Sequence, residues 1–363
     1  MYSSSLSSIS PPVKAAQISC GKLCKMQSNI GLSDGQHSGL PIVPAFFALY
    51  NKNVKKTSGT SGIRKDMGTK EEKIMGKVSM KGVIDMHVHT NPDLRIRAYD
   101  DLELCDAAVR VGARAIVIKS HMGSTVNRAY LTNRYNERVN GKNDFTMFGA
   151  IVLNSCVGGV NPVAVENALK LGAKVVWLPT SSARNHLQKL GKPTDGCVDV
   201  VRDGRIVPEL EKVLELVKQY DAVLGTGHIS VEEIFTVTKA AREMGVKKVV
   251  VTHPEWWIVN MSMEDQKRIV KEYDVILERC YAQNKGVGAG HGYISNLPSN
   301  LETIKEIGYK NVLISTDGGQ VENPHWELAE EEYLQYMLDH GIPEEHIRYM
   351  SHDLPCYLLG LEA

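Results

Sequence analysis

Lys81-Gly82-Val83-Ile84-Asp85-Met86-His87-Val88-His89-Thr90 decides how this chain is read. A β-branched apolar run leads directly into residues that carry chemistry. Two histidines at i and i+2 project from the same side of a strand, so both imidazoles can reach one point. Seven more apolar runs follow the first, at 115–118, 146–152, 174–178, 222–224, 248–251, 275–277 and 312–314. They are near-continuous rather than alternating. Parallel strands read this way when helices cover one face and a packed barrel interior fills the other. Amphipathic stretches at 101–111, 162–171, 209–220, 231–244 and 263–273 lie between the runs, and Gly112, Gly172 and Gly245 give helix-stop signals.

Eight βα units over about 280 residues predict an α/β fold, a (β/α)8 TIM barrel. The interval between strands 4 and 5 is the longest. It includes 185–206, with Asp203-Gly204 as a tight turn, so a small insertion is expected there. An open doubly wound sheet is the alternative, and it would bind its ligand at a single strand crossover.

The first 75 residues are different material. They hold ten basic and four acidic residues, while the remainder carries 32 and 38. Ser3-Ser4-Ser5 and Ser58-Gly59-Thr60-Ser61-Gly62 are typical of solvated chain. Residues 1–75 are therefore expected to form a disordered low-complexity extension, and 76–363 the barrel. No acid precedes Asp34, as in an organellar transit peptide, but residues 1–33 contain three lysines and no arginine. Met75 and Met80 each offer an alternative start.

The net charge of zero gives no reason to expect a nucleic-acid or anionic-membrane partner. The early apolar run at 41–50 is about half a membrane span and contains Pro44. Seven cysteines, at 20, 24, 105, 156, 197, 280 and 356, form no framework. They read as free thiols in a reducing, cytoplasmic setting.

The polar residues at the C-terminal ends of the runs converge on one barrel mouth. Strand 1 supplies His87 and His89, strand 5 His228, strand 6 His253 and strand 8 Asp317. Imidazoles with one carboxylate suit a divalent ion: zinc first, with manganese, iron or nickel as alternatives. One or two ions are compatible with the set. Lys119 and His121, after strand 2, are candidate metal or substrate contacts. Glu278, His291 and Trp256 are further candidates for substrate, with Asn154, Ser181 and Arg184 nearby.

These residues resemble the amidohydrolase superfamily of metal-dependent hydrolases, over residues 82 to about 361. The resemblance implies metal-activated water cleaving an amide, cyclic amide, lactone or ester of a small molecule. It also implies that Asp317 moves the proton while His253 binds metal or stabilises the oxyanion. The same kind of site also runs deamination and decarboxylation. Two-metal members usually carry a bridging lysine or glutamate at the end of strand 4. Here strand 4 ends Trp177-Leu178-Pro179-Thr180, and Lys119 ends strand 2 instead. Lys119 is read either as a bridging carbamate or as a cation for a substrate anion.

The front of the domain is also similar to the polymerase-and-histidinol-phosphatase phosphoesterases. Their Asp-x-His motif, however, reads Asp317-Gly318-Gly319 here. A phosphoesterase, or a barrel that binds without catalysing, are the other readings. The partner is a small molecule, and self-association is left open.

A chain beginning at Met75 is predicted to fold with unchanged metal content, checked by circular dichroism and elemental analysis. An insoluble or metal-free product would move the domain boundary into the extension.

Overall fold

The computed structural model describes residues 77–283 and 294–362. The expected disordered extension and His291 lie outside those residues. All eight predicted strands are present. They are β1 Ile84–His89, β2 Ala115–Lys119, β3 Thr146–Phe148 continuing as Ala150–Val152, β4 Val175–Trp177, β5 Val223–Gly225, β6 Val249–Val251, β7 Ile276–Cys280 and β8 Val312–Ser315.

Every neighbouring pair is parallel. β1 pairs with β2, and β2 with the first half of β3. The second half of β3 pairs with β4, and pairing then runs through β5, β6 and β7 to β8. A bridge between Val88 and Gly318 closes the ring, with His89 N donating to Gly318 O at 2.9 Å. The fold is a (β/α)8 barrel, and the open doubly wound sheet is excluded by that closure. The expected insertion is a short hairpin, Val201–Arg202 with Arg205–Ile206, turning at Asp203 and Gly204, both with positive φ. Among the described residues no helix is long and apolar enough to cross a membrane.

Side-chain parity divides the core. Ile84, Met86, Ala115, Val117, Val175, Trp177, Val250 and Leu313 fill the barrel interior. Val88, Ile116, Ile118, Val312 and Ile314 face helices outside it. Strict alternation along β1 would put Val88 inside with Met86 and turn both histidines outward. The register of β1 against β2 shifts between Asp85 and Val88, a bulge-like irregularity that reverses the parity. His87 and His89 consequently point into the barrel.

Asp85 pins this irregularity. It accepts from His87 N at 2.9 Å, from Thr316 N at 3.1 Å and Thr316 Oγ1 at 2.5 Å, and from Trp326 Nε1 at 2.9 Å. One carboxylate thereby joins β1, β8 and the helix Trp326–Asp339. Asp85→Ala is predicted to leave these four buried donors without an acceptor and to cost about 4 kcal/mol or more, since each costs about 1–3 kcal/mol when left unmade. Chemical denaturation should show the loss; a change under 1 kcal/mol would remove Asp85 from this role.

Candidate metal centre

The two histidines of β1 are oriented in the same way. His87 Nδ1 lies 3.1 Å from Glu278 Oε2, and His89 Nδ1 lies 2.9 Å from Asp93 Oδ2. A carboxylate on Nδ1 holds the proton there and leaves Nε2 as a lone pair. Both Nε2 atoms face one oxygen: His87 at 3.1 Å and His89 at 3.2 Å from Asp317 Oδ1. Two nitrogen or oxygen donors bound to one small divalent ion at about 2.0–2.1 Å stand about 2.9–3.4 Å apart. Each of the two separations fits a pair of donors sharing such an ion. All three side chains are buried.

The electrostatics follow from that packing. Burial works against a proton on His87, but the Asp317 and Glu278 carboxylates outweigh it and raise its pKa. Burial, with Arg97 nearby, lowers that of His89. Burial opposes ionisation of Asp317, yet the two histidines hold its carboxyl well below the usual range. Asp317 and His253 also adopt left-handed backbone, with φ of 47° and 26°. Neither is glycine, so each conformation costs about 1–3 kcal/mol, a kind of strain that clusters at functional sites.

Asp93 was not singled out in the sequence, because it sits in a loop beyond any periodic element. It accepts from Arg97 Nη2 at 2.5 Å, Ser120 Oγ at 3.0 Å and His121 N at 2.8 Å besides facing His89. Its oxygens are committed to orienting its neighbours. His121 stacks on His89 with ring centroids 4.8 Å apart, and its Nδ1 meets Thr180 Oγ1 at 2.8 Å.

Lys119 is buried with Nζ 2.9 Å from His87 Nε2 and 4.9 Å from the centre of the Trp177 ring. Trp177 fills the interior end of β4, where no bridging residue was found. Its ring also explains Gly225 on β5, where a Cβ would lie 2.3 Å from Trp177 Cδ1.

His228 and His253 flank the cluster. His228 Nδ1 is 2.7 Å from His186 Nδ1, and those rings stack at 4.9 Å. His186 comes from the short helix Arg184–Lys189 after β4 and was missed in the sequence. The His253 ring stands 5.0 Å from His228 and 6.0 Å from His87. Both its ring nitrogens are buried without a partner, while Trp256 stacks on its face at 4.4 Å. Burial lowers its pKa to about 3, so the ring is neutral near pH 7. A neutral imidazole with two unclaimed nitrogens is a further sign that this pocket suits a ligand.

Several expectations change place. Glu278 was expected against substrate; it is buried behind His87 and meets the ring. Arg279 faces outward from the barrel and pairs with Glu255 at 2.7 Å. Asn154 binds Thr180 and Ser182 backbone, and Arg184 pairs with Asp199. Ser181 and Trp256 line the cavity over the cluster, which measures about 270 Å³. Arg95, Arg97, Lys119 and Lys192 also line it, with Asp317 as the carboxylate. Gly319 answers the phosphoesterase reading. A Cβ there would sit 1.8 Å from His89 O, so no histidine fits at that position.

Residues 82–278 match a family described as "Family of unknown function (DUF6282)", and the chain belongs to it. No curated protein matches the chain in sequence. Its fold is similar to that of an amidohydrolase from Pseudomonas aeruginosa, at 13% identity and TM-score 0.51, covering 77% of this chain and 95% of that one. It is also similar to a protein of Pseudomonas putida described as "Putative 2-Pyrone-4,6-Dicarboxylic Acid Hydrolase", at 16% identity and TM-score 0.50, covering 79% and 100%. A "probable dipeptidase PvdM" from Pseudomonas aeruginosa matches at 10% identity and TM-score 0.53, covering 77% and 94%. The likeness to these structures is one of fold, the (β/α)8 barrel described above.

Glu278→Ala removes the acceptor that orients the His87 ring. It is predicted to weaken divalent-metal affinity about 10–100-fold, measured by chelator competition. Unchanged affinity would leave Glu278 with packing alone.

Proposed function

We propose that this member of the DUF6282 family is a metal-dependent hydrolase, opening an amide, cyclic amide, lactone or ester bond in a small carbonyl compound. The observation that carries the reading is the convergence of His87 Nε2 and His89 Nε2 on Asp317 Oδ1, each ring backed by its own carboxylate. His87, His89 and Asp317 would hold the ion, with the rings of His253 and His228 flanking them. Zinc is the first candidate, because imidazole and carboxylate donors suit it. A divalent ion there supplies Lewis acidity, polarising a carbonyl and acidifying water.

The chain's own groups do the rest. The Asp317 carboxylate takes the proton of the attacking water and returns it to the leaving nitrogen or oxygen. Neutral His253 keeps one N–H to donate to the oxyanion that develops on the carbonyl. Lys119, buried against Trp177, offers its ammonium to an anionic part of the substrate. Arg95 and Lys192 extend that preference along the cavity, and Trp256 and Trp257 supply an apolar wall for a planar body. A small carboxylated ring is the shape and charge these surfaces favour.

Replacing His87, His89 or Asp317 with Ala is expected to remove the ion and to lower hydrolysis by at least 100-fold. Metal analysis accompanies a panel of lactones and cyclic amides that includes 2-pyrone-4,6-dicarboxylic acid. Full metal occupancy in all three variants would sink the metal centre. Normal occupancy in the wild type with no turnover across the panel would favour a binding barrel or another reaction type.

A further inference from the structure

Strand β7 ends Glu278-Arg279-Cys280. Arg279 projects outward to Glu255, Gln266 and Asn300. Alternation then turns Glu278 and Cys280 inward together. Glu278 meets His87 from behind. Cys280 lies one step nearer the mouth and is fully buried. Its Sγ, a ring nitrogen of His87 and a carboxylate oxygen of Asp317 all lie within 4.8 Å of one another.

We propose that Cys280 is a ligand of the same centre, giving the ion a thiolate together with His87 and Asp317. This rests on the metal-centre reading above. Around a tetrahedral ion a sulfur stands about 3.5–3.8 Å from a nitrogen or oxygen donor, given bonds of about 2.3 Å and 2.0–2.1 Å. A second observation points to a ligand at the same place. His253 is completely buried, neither ring nitrogen has a partner, and its charged neighbours are Asp317, Lys119, His87 and Glu278. Cys280 packs at the edge of the hydrophobic core with Leu277 and Trp256, and its thiol there meets a histidine–carboxylate pair beside an unclaimed imidazole.

The thiolate sets the metal preference. A soft sulfur donor favours zinc, cobalt or iron and disfavours magnesium and calcium, which take hard oxygen donors. Binding releases the thiol proton to solvent as the metal–sulfur bond forms. The notion of a purely nitrogen–oxygen centre would leave affinity for those metals to geometry alone.

The test uses the full chain, stripped of metal and titrated with cobalt(II). The wild type should show the visible bands of a bound cobalt ion and a near-ultraviolet sulfur-to-cobalt charge-transfer band. Cys280→Ser should keep the visible bands, lose the charge-transfer band and bind cobalt at least 10-fold more weakly. Should that variant fold poorly, zinc-edge X-ray absorption on the wild type gives the same answer through a sulfur scatterer near about 2.3 Å. Cobalt bound without a charge-transfer band, a band that survives Cys280→Ser, or an absent sulfur scatterer would each overturn the ligand role. Failure of the wild type to bind cobalt at all would overturn the metal centre itself, a result distinguishable from the others.

Discussion

The four hydrogen bonds accepted by Asp85 hold β1 in an irregular register, and the positions of both β1 histidines depend on that register. A regular strand carrying the same residues would present His87 and His89 to the surrounding helices and Val88 to the interior. The exchange is all-or-none because side chains alternate with a period of two. Thr316 and Trp326 supply three of the donors. The anchor therefore ties the first strand to the last, and barrel closure and histidine orientation become one event. Val88 gains in the same move, since it joins the outer core with Ile118 and Ile314.

Charge at the mouth is arranged in buried pairs. Glu278 faces His87, Asp93 faces His89 and Arg97, and Asp317 lies between the two histidines. A buried carboxylate without such partners would be driven neutral by desolvation. Here the partners hold all three carboxyl pKa values below their usual range despite burial. Ionised carboxylates behind the rings raise the basicity of the outward nitrogens, which is the property a Lewis acid requires of its ligands.

The rim has a different composition. Lys119, Arg95 and Lys192 face the cavity beside the indoles of Trp256 and Trp257. Cationic heads and apolar indole faces thus stand side by side around the same cavity. Trp177 contributes from below: it supports Lys119 and takes the space that Gly225 leaves on the adjoining strand.

The barrel was legible in the sequence because its cause is local. Eight apolar runs separated by amphipathic helices have few ways to bury themselves, and strand ends then gather at one mouth. That logic alone brought His87, His89, His228, His253, Lys119 and Asp317 to a common place. Residues whose role depends on contacts across the ring carried no such signal. Asp93 reaches His89 from an irregular loop, His186 reaches His228 from a six-residue helix, and Cys280 reads in sequence as one more buried thiol. Glu278 looked like a residue of the mouth and instead backs a histidine, because depth along an inward-facing strand is set by packing and not by periodicity. The sequence by itself determined the fold and the end at which the chemistry gathers, since both follow from hydrophobic periodicity. Tertiary structure decided which face of β1 the histidines occupy and which carboxylate stands behind each ring, since a bulge and contacts between distant strands leave no periodic trace.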